Sequence, residues 1–541
     1  MANTEIRPLR STDWTTEVIG SGRYSNAAPL SGFQRRDGPR GSPLNPAAAR
    51  GDFERELAGT FQAFKDAVPA VLAERRTVTM PYWPGQELPR PADYCFAAAP
   101  EPLTTTSISI VLAPNDPALA AEMGFFFQDR RLPLLRDRMA GQRFQGLVGN
   151  LGYYMTGALI EGKSWAHNTR FPEFPLPRLP SYLGYHLFRD RDSGQALGSF
   201  EGAHPAAVGV RLDGSVQILP GLEIDRYQVT FLGPERVGLE IDAISEARPG
   251  AGVTLYTPGF QGTKEIQGHM VAAEDSAGRD AGWQSCSPLL PVVAGGEWVH
   301  VFVANQGNGR VPVEKVAAVW EGSAPIPSFG AVLSFRKERF ESLFESVERF
   351  ESDYVGSRVQ IVPLEAGFDA GAFAQVMGGF VPVVVDGQHG LGAASSVREV
   401  MQVLGRYGAT LPLAQCGRET LNFDPRAREP AGLLVQTESR IGWILFDGRH
   451  ELSVGASVVD VAALLKKLET EGLLRGKVQQ AILIDGGSAM KAYRVRSDED
   501  AVDLELLNRV AAGSRNRPGA DPEGLNLYDT LKLDLAAWSR N

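Results

Sequence analysis

A carboxylate and two adjacent glycines at the end of an apolar run are the first residues in this chain that could do chemistry. They lie in AILIDGGSAM, Ala481 to Met490. The apolar residues read as a short buried strand, and Asp485, Gly486, Gly487 and Ser488 turn sharply at its end. Consecutive glycines let backbone N–H groups face a ligand at little steric cost. Asp485 adds a charge at the mouth of that turn. A carboxylate beside a nest of donors suits a sugar or a phosphorylated sugar. The same residues also make an ordinary turn, so the surrounding elements must decide between the two.

Those elements belong to a chain of 541 residues, a length that a soft prior divides into about two to four domains. Gly (59) and Pro (36) are abundant enough to favour short strands joined by turns over long helices. A formal net charge of −10 argues against a nucleic-acid partner, which would need clustered Lys and Arg. No apolar run reaches the ~18 residues of a membrane span. The opening MANTEIRPLRSTDWTTEV contains no apolar signal core, so a cytoplasmic location is expected. Cys95, Cys286 and Cys416 are far apart and odd in number, which points to buried thiols rather than disulfides or a zinc site. The scattered histidines form no metal-binding spacing.

Along the chain, residues 1–50 are polar and rich in Gly, Pro and Arg, as in an extended arm. Phe53, Leu57, Phe61, Phe64, Val68 and Leu72 then recur at helical spacing, with Asp52 placed to cap and Pro69 placed to divide the helix. Residues 1–100 are therefore taken as an arm and amphipathic helix, and 101–541 as the main domain. From Thr104 the sequence turns to β-branched, alternating runs, with a hairpin turn at Leu212 to Gly214. A stripe of Phe340, Leu343, Phe344, Val347 and Phe350 marks a helical segment, and SVVDVAALLKKLETEG marks another. The expected class is α+β: a large mixed β-sheet core with flanking helices and many hairpins.

Several pieces, in this order, resemble the phosphodiester glycosidase family. GLVGNLGYYMTGALIEG (Gly146 to Gly162) is similar to the family's strand, Asn-x-Gly-Tyr/Phe turn and following hairpin. LYTP at Leu255 to Pro258, APIPSFGAVLS at Ala324 to Ser334, and MGGFVPVVVDG at Met377 to Gly387 match further family segments. REPAGLLVQTESRIGWILFDGRHELSVGASVVDVAALL resembles an Arg-bearing strand, a turn ending Asp-Gly-Arg and the helix behind it, and AILIDGGSAM closes the series. The family carries a further Gly or Ser after this last turn, where the present chain has Ala489. The resemblance covers about residues 100–541. It implies a hydrolase that cleaves the anomeric bond of a sugar phosphodiester or related α-linked glycoside, with a small carbohydrate or sugar phosphate as partner; separately, the sequence predicts no membrane partner and no cofactor, with a divalent cation left open.

Such a reaction expels a phosphate monoester, already a weak base, so strong general-acid help is less needed than in ordinary glycoside hydrolysis. The site must hold the phosphate, stabilise positive charge on the sugar ring, and activate a water or supply a nucleophile. Arg428 and Arg449 are the candidates for phosphate, because a guanidinium fork matches its oxygens; each is also readable as a surface residue. Asp485 and Asp447 are the candidate carboxylates. Both follow apolar strands and precede Gly, so parallel neighbouring strands would bring them to one sheet edge. Asp485 would act as nucleophile, base or electrostatic stabiliser. Asn150, Gly152 and Tyr153 would bind sugar hydroxyls or phosphate, and Gly455 would offer backbone donors ahead of a helix capped by Ser457. Asp386 reads as a turn residue and His389 as a lesser acid–base candidate. Two other classes stay open: a non-catalytic sugar- or phosphate-binding or assembly protein on the same fold, and a phosphodiesterase using Asp447 and Asp485 to hold a divalent cation. Oligomer formation is left open as well.

Overall fold

The computed structural model describes residues 15–17, 59–64, 66, 68–79, 105–125, 135–151, 154–155, 181–182, 186–189, 196–198, 206–221, 224–244, 252–256, 297–307, 312–322, 331–366, 369–390, 430–448, 453, 455–484, 490–508 and 529–536. Within them the chain is an α+β protein dominated by β-sheet. In the central sheet, Thr15–Glu17 pairs with Leu72–Thr79, which pairs with Thr105–Pro114. Arg440–Phe446, Ala431–Thr437 and Val478–Ile484 follow in that spatial order, and the second half of Phe373–Val384 closes the sheet. Every one of these pairings is antiparallel.

Phe373–Val384 is long enough to serve two sheets. Its first half pairs with Ala206–Arg211 and His186–Arg189 and so leads into a second sheet. That sheet is antiparallel except for Ala243–Ile244, which runs parallel to Val253–Tyr256. Ala206–Arg211 and Val216–Leu219 form the hairpin expected at Leu212 to Gly214. A separate five-stranded sheet has the order Val502–Leu506, Ala492–Ser497, Phe144–Asn150, Asp529–Asp534, Ala120–Phe125.

Both faces of the central sheet are covered, which explains why its strands read as continuous apolar runs rather than alternating ones. On one face Ile444, Phe446, Leu433 and Ile108 pack against Val461, Leu464, Leu465 and Leu468 of the helix Val458–Thr470. On the other, Trp443, Leu445, Ile482 and Ile484 meet Leu147, Leu531, Leu533 and Met490 of the five-stranded sheet region. The second sheet has its own core. There Phe231 meets the rings of Phe344, Phe350 and Tyr354 edge-on at 5.4, 5.6 and 6.1 Å. The expected Phe stripe thus forms two helices, Lys337–Phe344 and Val347–Tyr354, with Ser346 capping the second.

One element differs from expectation. The stripe from Phe61 to Leu72 is not one helix: residues 59–64 are helical, Pro69 and Ala70 turn, and Leu72–Thr79 is a strand. Phe61, Phe64 and Val68 are buried against the five-stranded sheet side of the core, whereas Leu72 joins the helix side. Proline removes a donor and ends the helix, and the next residues find their partner in Thr105–Pro114 along their full length. Residues 72–79 therefore belong to the central sheet. Asp52, Phe53 and Leu57 lie outside the described residues.

Candidate functional site

The strands leading to the candidate carboxylates are not neighbours. Arg440–Phe446 and Val478–Ile484 flank Ala431–Thr437, and each is antiparallel to it. They consequently run in the same direction, with Leu445 and Ile484 both opposite Gly432. The ends of these two strands, at Phe446 and Ile484, lie at one edge with one strand interposed, an interval of roughly 10 Å at ordinary strand spacing.

Asp447 leaves that edge 1 % exposed. Its N–H donates to the Ser107 carbonyl at 2.9 Å, and its own carbonyl accepts the Ser453 hydroxyl at 2.5 Å. Ser453 Oγ in turn accepts the Ser107 N–H at 3.0 Å. The main chain of Asp447 is thus fixed from both sides, by the strand Thr105–Pro114 and by Ser453. Arg75, on the strand beyond, sends Nη2 to the Ser107 hydroxyl at 3.2 Å. The sequence places no function on Arg75, Ser107 or Ser453. Arg75 sits in the 1–100 segment taken as an arm and amphipathic helix, and only long-range strand pairing brings it here.

Gly455 continues the same loop. Its carbonyl accepts the Thr106 hydroxyl at 2.7 Å, and its φ of +91° is a backbone state that favours glycine. Ser457 then caps the helix. Its Oγ accepts the Asp460 N–H at 3.2 Å, while Asp460 Oδ2 accepts the Ser457 N–H at 2.8 Å. This capping box takes up two of the donors at the helix start. Gly455 itself is buried and held through its carbonyl.

The five-stranded sheet brings Asn150 to the same region. Asn150 is 0 % exposed; its N–H donates to the Lys491 carbonyl at 2.9 Å and its carbonyl accepts the Trp443 indole N–H at 3.3 Å. Gly149 lets that indole approach, since a Cβ there would lie 2.5 Å from Trp443 Cε2. Lys491 is also 0 % exposed, a rare state for a charged side chain. The buried Asn508 amide fixes the backbone on both sides of it, accepting from Ala492 N–H at 3.1 Å and donating to the Met490 carbonyl at 3.0 Å. Met490 docks against Gly432, the residue opposite Leu445 and Ile484. The segment that follows Asp485 to Ala489 is therefore anchored beside the strand that precedes it. Lys491 was missed because nothing in its local sequence distinguishes it from an exposed lysine.

Other candidates lie elsewhere. Asp386 is exposed in a left-handed turn (φ +48°) and accepts from the Gln480 amide at 2.6 Å, as a turn residue would. His389 meets Glu469 at 3.1 Å near the start of Val478–Ile484, the end of the strand opposite to Asp485. Burial pushes the His389 pKa down, against the opposing pull of the Glu469 carboxylate. The structure thus does not bring His389 to the Asp447 edge. Arg428, Arg449, Gly152, Tyr153, Asp485, Gly486, Gly487 and Ser488 lie outside the described residues. Among the described residues, no three His, Cys, Asp or Glu side chains gather as a metal site would require.

No family model and no curated protein matches the sequence. Solved structures do match. A hypothetical protein from Synechocystis has 13% identity and a TM-score of 0.34 over 85% of this chain and 62% of its own. A putative exported protein from Burkholderia pseudomallei has 15% identity and a TM-score of 0.36 over 80% and 75%. The catalytic domain of zebrafish N-acetylglucosamine-1-phosphodiester alpha-N-acetylglucosaminidase, auto-inhibited by its pro-peptide, has 11% identity and a TM-score of 0.30 over 86% and 83%. The present chain spans less than two thirds of the Synechocystis chain.

Proposed function

We propose that this chain is a hydrolase cleaving the anomeric bond of a sugar phosphodiester or a related α-linked glycoside. The observation that supports the reading is the shared direction of the two strands that lead to its candidate carboxylates, which end at one edge of the sheet. Asp447 emerges there from Arg440–Phe446, and Val478–Ile484 delivers the chain to Asp485 in the same direction. Asn150 and Lys491 approach from the packed five-stranded sheet.

In this reading Asp485 attacks the anomeric carbon or activates the water that does, and Asp447 supplies the second carboxylate. Asn150 and the turn Gly486–Gly487–Ser488 hold sugar hydroxyls, while Arg428 and Arg449 hold the phosphate. The departing phosphate monoester is a weak base and leaves without strong protonation. What the protein contributes is chiefly charge placement and orientation in a buried setting, the effects that dominate where general-acid help is small.

The test is incubation of wild type and Asp485→Asn with a panel of sugar-1-phosphodiesters and neutral α-glycosides, reading released reducing sugar. Release by wild type and not by the variant supports a glycosidase centred on Asp485. Binding without release by wild type refutes turnover and leaves a sugar- or phosphate-binding protein on this fold. Release abolished by a chelator and restored by a divalent cation replaces the reading with the metal-dependent one.

A further inference from the structure

We propose that His389 and Glu469 form an acid-released latch, which holds the turn at residues 385–390 against the start of Val478–Ile484 at neutral pH and lets it go on acidification. The proposal is independent of the hydrolase reading and concerns the end of that strand opposite to Asp485. Val385 and Gln388 close the turn through main-chain bonds of 3.1 and 2.8 Å. Asp386 and Gly387 take φ values of +48° and +76°, and the Gly387 N–H donates to the Gln479 carbonyl at 2.8 Å. His389 then reaches the helix Val458–Thr470, where its Nε2 meets Glu469 Oε2 at 3.1 Å. The other oxygen of that carboxylate accepts the Val478 N–H at 2.7 Å. One side chain thus joins turn, helix and strand. Glu469 sits in the last turn of its helix, where the helix dipole disfavours a negative charge, and these two contacts offset that cost.

The chemistry of the pair makes this joint sensitive to protons. A carboxylate only accepts, so at neutral pH Nε2 carries the imidazole hydrogen and Nδ1 is a bare lone pair. The His389 side chain is 9 % exposed, and Nδ1 is buried with no hydrogen-bond partner among the described residues. A proton added there becomes a buried, charged donor with nothing to receive it. Turning the ring outward hands that N–H to water and breaks the contact with Glu469. Burial holds the His389 pKa below its ordinary 6.5; Glu469 opposes that shift, and Lys466 on the same helix adds to it. Asp386 of the same turn is engaged with the Gln480 amide, and Val478–Ile484 carries no ionisable side chain. In the released turn the ring regains its ordinary value. The released state therefore binds more protons and is favoured as pH falls below 6.5. Solvent reaches the pair without unfolding, because Glu469 lines an open cleft of about 600 Å³ with Glu438, Thr470, Gly476 and Lys477.

The experiment uses the full chain, with 13C at histidine Cε1, and compares wild type with His389→Gln between pH 7.5 and 5. The ring signal absent from His389→Gln is that of His389, and its titration midpoint in wild type should lie below 6.5. A midpoint at or above 6.5 overturns the proposal. Amide exchange at Gly387, corrected for the intrinsic effect of pH, is the second readout. Wild type should lose protection about 3-fold or more over this range, beyond any loss in His389→Gln, which cannot take up the proton. The comparison cancels acid effects that arise elsewhere in the fold. Parallel curves for the two proteins overturn the proposal. If His389→Gln fails to fold by near-UV circular dichroism, Glu469→Gln carries the test, because it keeps an acceptor for the ring and removes the charge. Its Gly387 protection at pH 7.5 should be about 3-fold or more below that of wild type, and equal protection would overturn the latch.

Discussion

Lowering the pH from 7 toward 4 places a proton on His300 only at a cost to the fold. His300 is 1 % exposed on Trp298–Gly307. Its Nε2 lies 2.6 Å from the Gly322 carbonyl, which can only accept, so Nε2 carries the hydrogen. Nδ1 then accepts the Ser334 hydroxyl at 2.8 Å. Burial pushes the pKa down to about 4 from an ordinary 6.5, the Gly322 bond opposing weakly. Between these values the unfolded chain binds one proton more than the folded chain, so stability falls as pH falls. The effect is absent above pH 6.5, grows on acidification, and is complete near pH 4, where both states are protonated. Lowering the pKa from 6.5 to about 4 corresponds to about 3 kcal/mol. Urea unfolding of wild type at pH 7, 6, 5 and 4.5 should lose most of that amount beyond what His300→Gln loses over the same range. The variant starts about 1–3 kcal/mol lower at pH 7 because it disturbs two buried bonds, but its curve should be flatter. Parallel curves for the two proteins would refute the assignment of a neutral, buried His300.

Two further substitutions test how the sheets that carry the site are joined. Gly149→Ala puts a methyl 2.5 Å from Trp443 Cε2 and should destabilise by about 1–3 kcal/mol, read as a lower urea midpoint with an unchanged slope; an unaltered midpoint would mean the indole moves aside freely. Asn508→Ala strips partners from the buried Met490 carbonyl and Ala492 N–H and should cost about 1–3 kcal/mol, with faster amide exchange at Ala492. Exchange as slow as in wild type would show that the anchor next to Lys491 lies elsewhere.

Much of the fold could be read from local sequence, and the reason is physical. IGWILF and AILI are apolar on successive residues because helix Val458–Thr470 covers one face of their sheet and the five-stranded sheet covers the other. Ser457 and Asp460 stand at the spacing a capping box requires, so the start of that helix was legible. The turn at Leu212 to Gly214 needed only its own residues. The segment from Phe61 to Leu72 misled because its apolar spacing stays helical across Pro69, although Leu72 faces a different core from Phe64. Strand pairing decides that point, and pairing is not local.

The site was legible in the same uneven way. The common direction of the two strands was anticipated, whereas the strand between them was not. Arg75 looked like one of two consecutive arginines; its separation from Arg76 depends on which face is buried. Lys491 becomes distinctive only through burial, which its neighbours in space impose. His389 drew attention by type, yet its partner Glu469 holds it at the far end of the sheet.

The most direct test of the central claim is the rate of sugar release from a sugar-1-phosphodiester by wild type and Asp447→Asn, with both proteins checked for equal melting temperatures. The substitution keeps the shape of the side chain and its main-chain bonds to Ser107 and Ser453, and it removes the charge. The account predicts a fall in kcat of about 100-fold or more at unchanged stability. A variant as active as wild type would contradict it and return Asp447 to a purely structural place at the end of its strand.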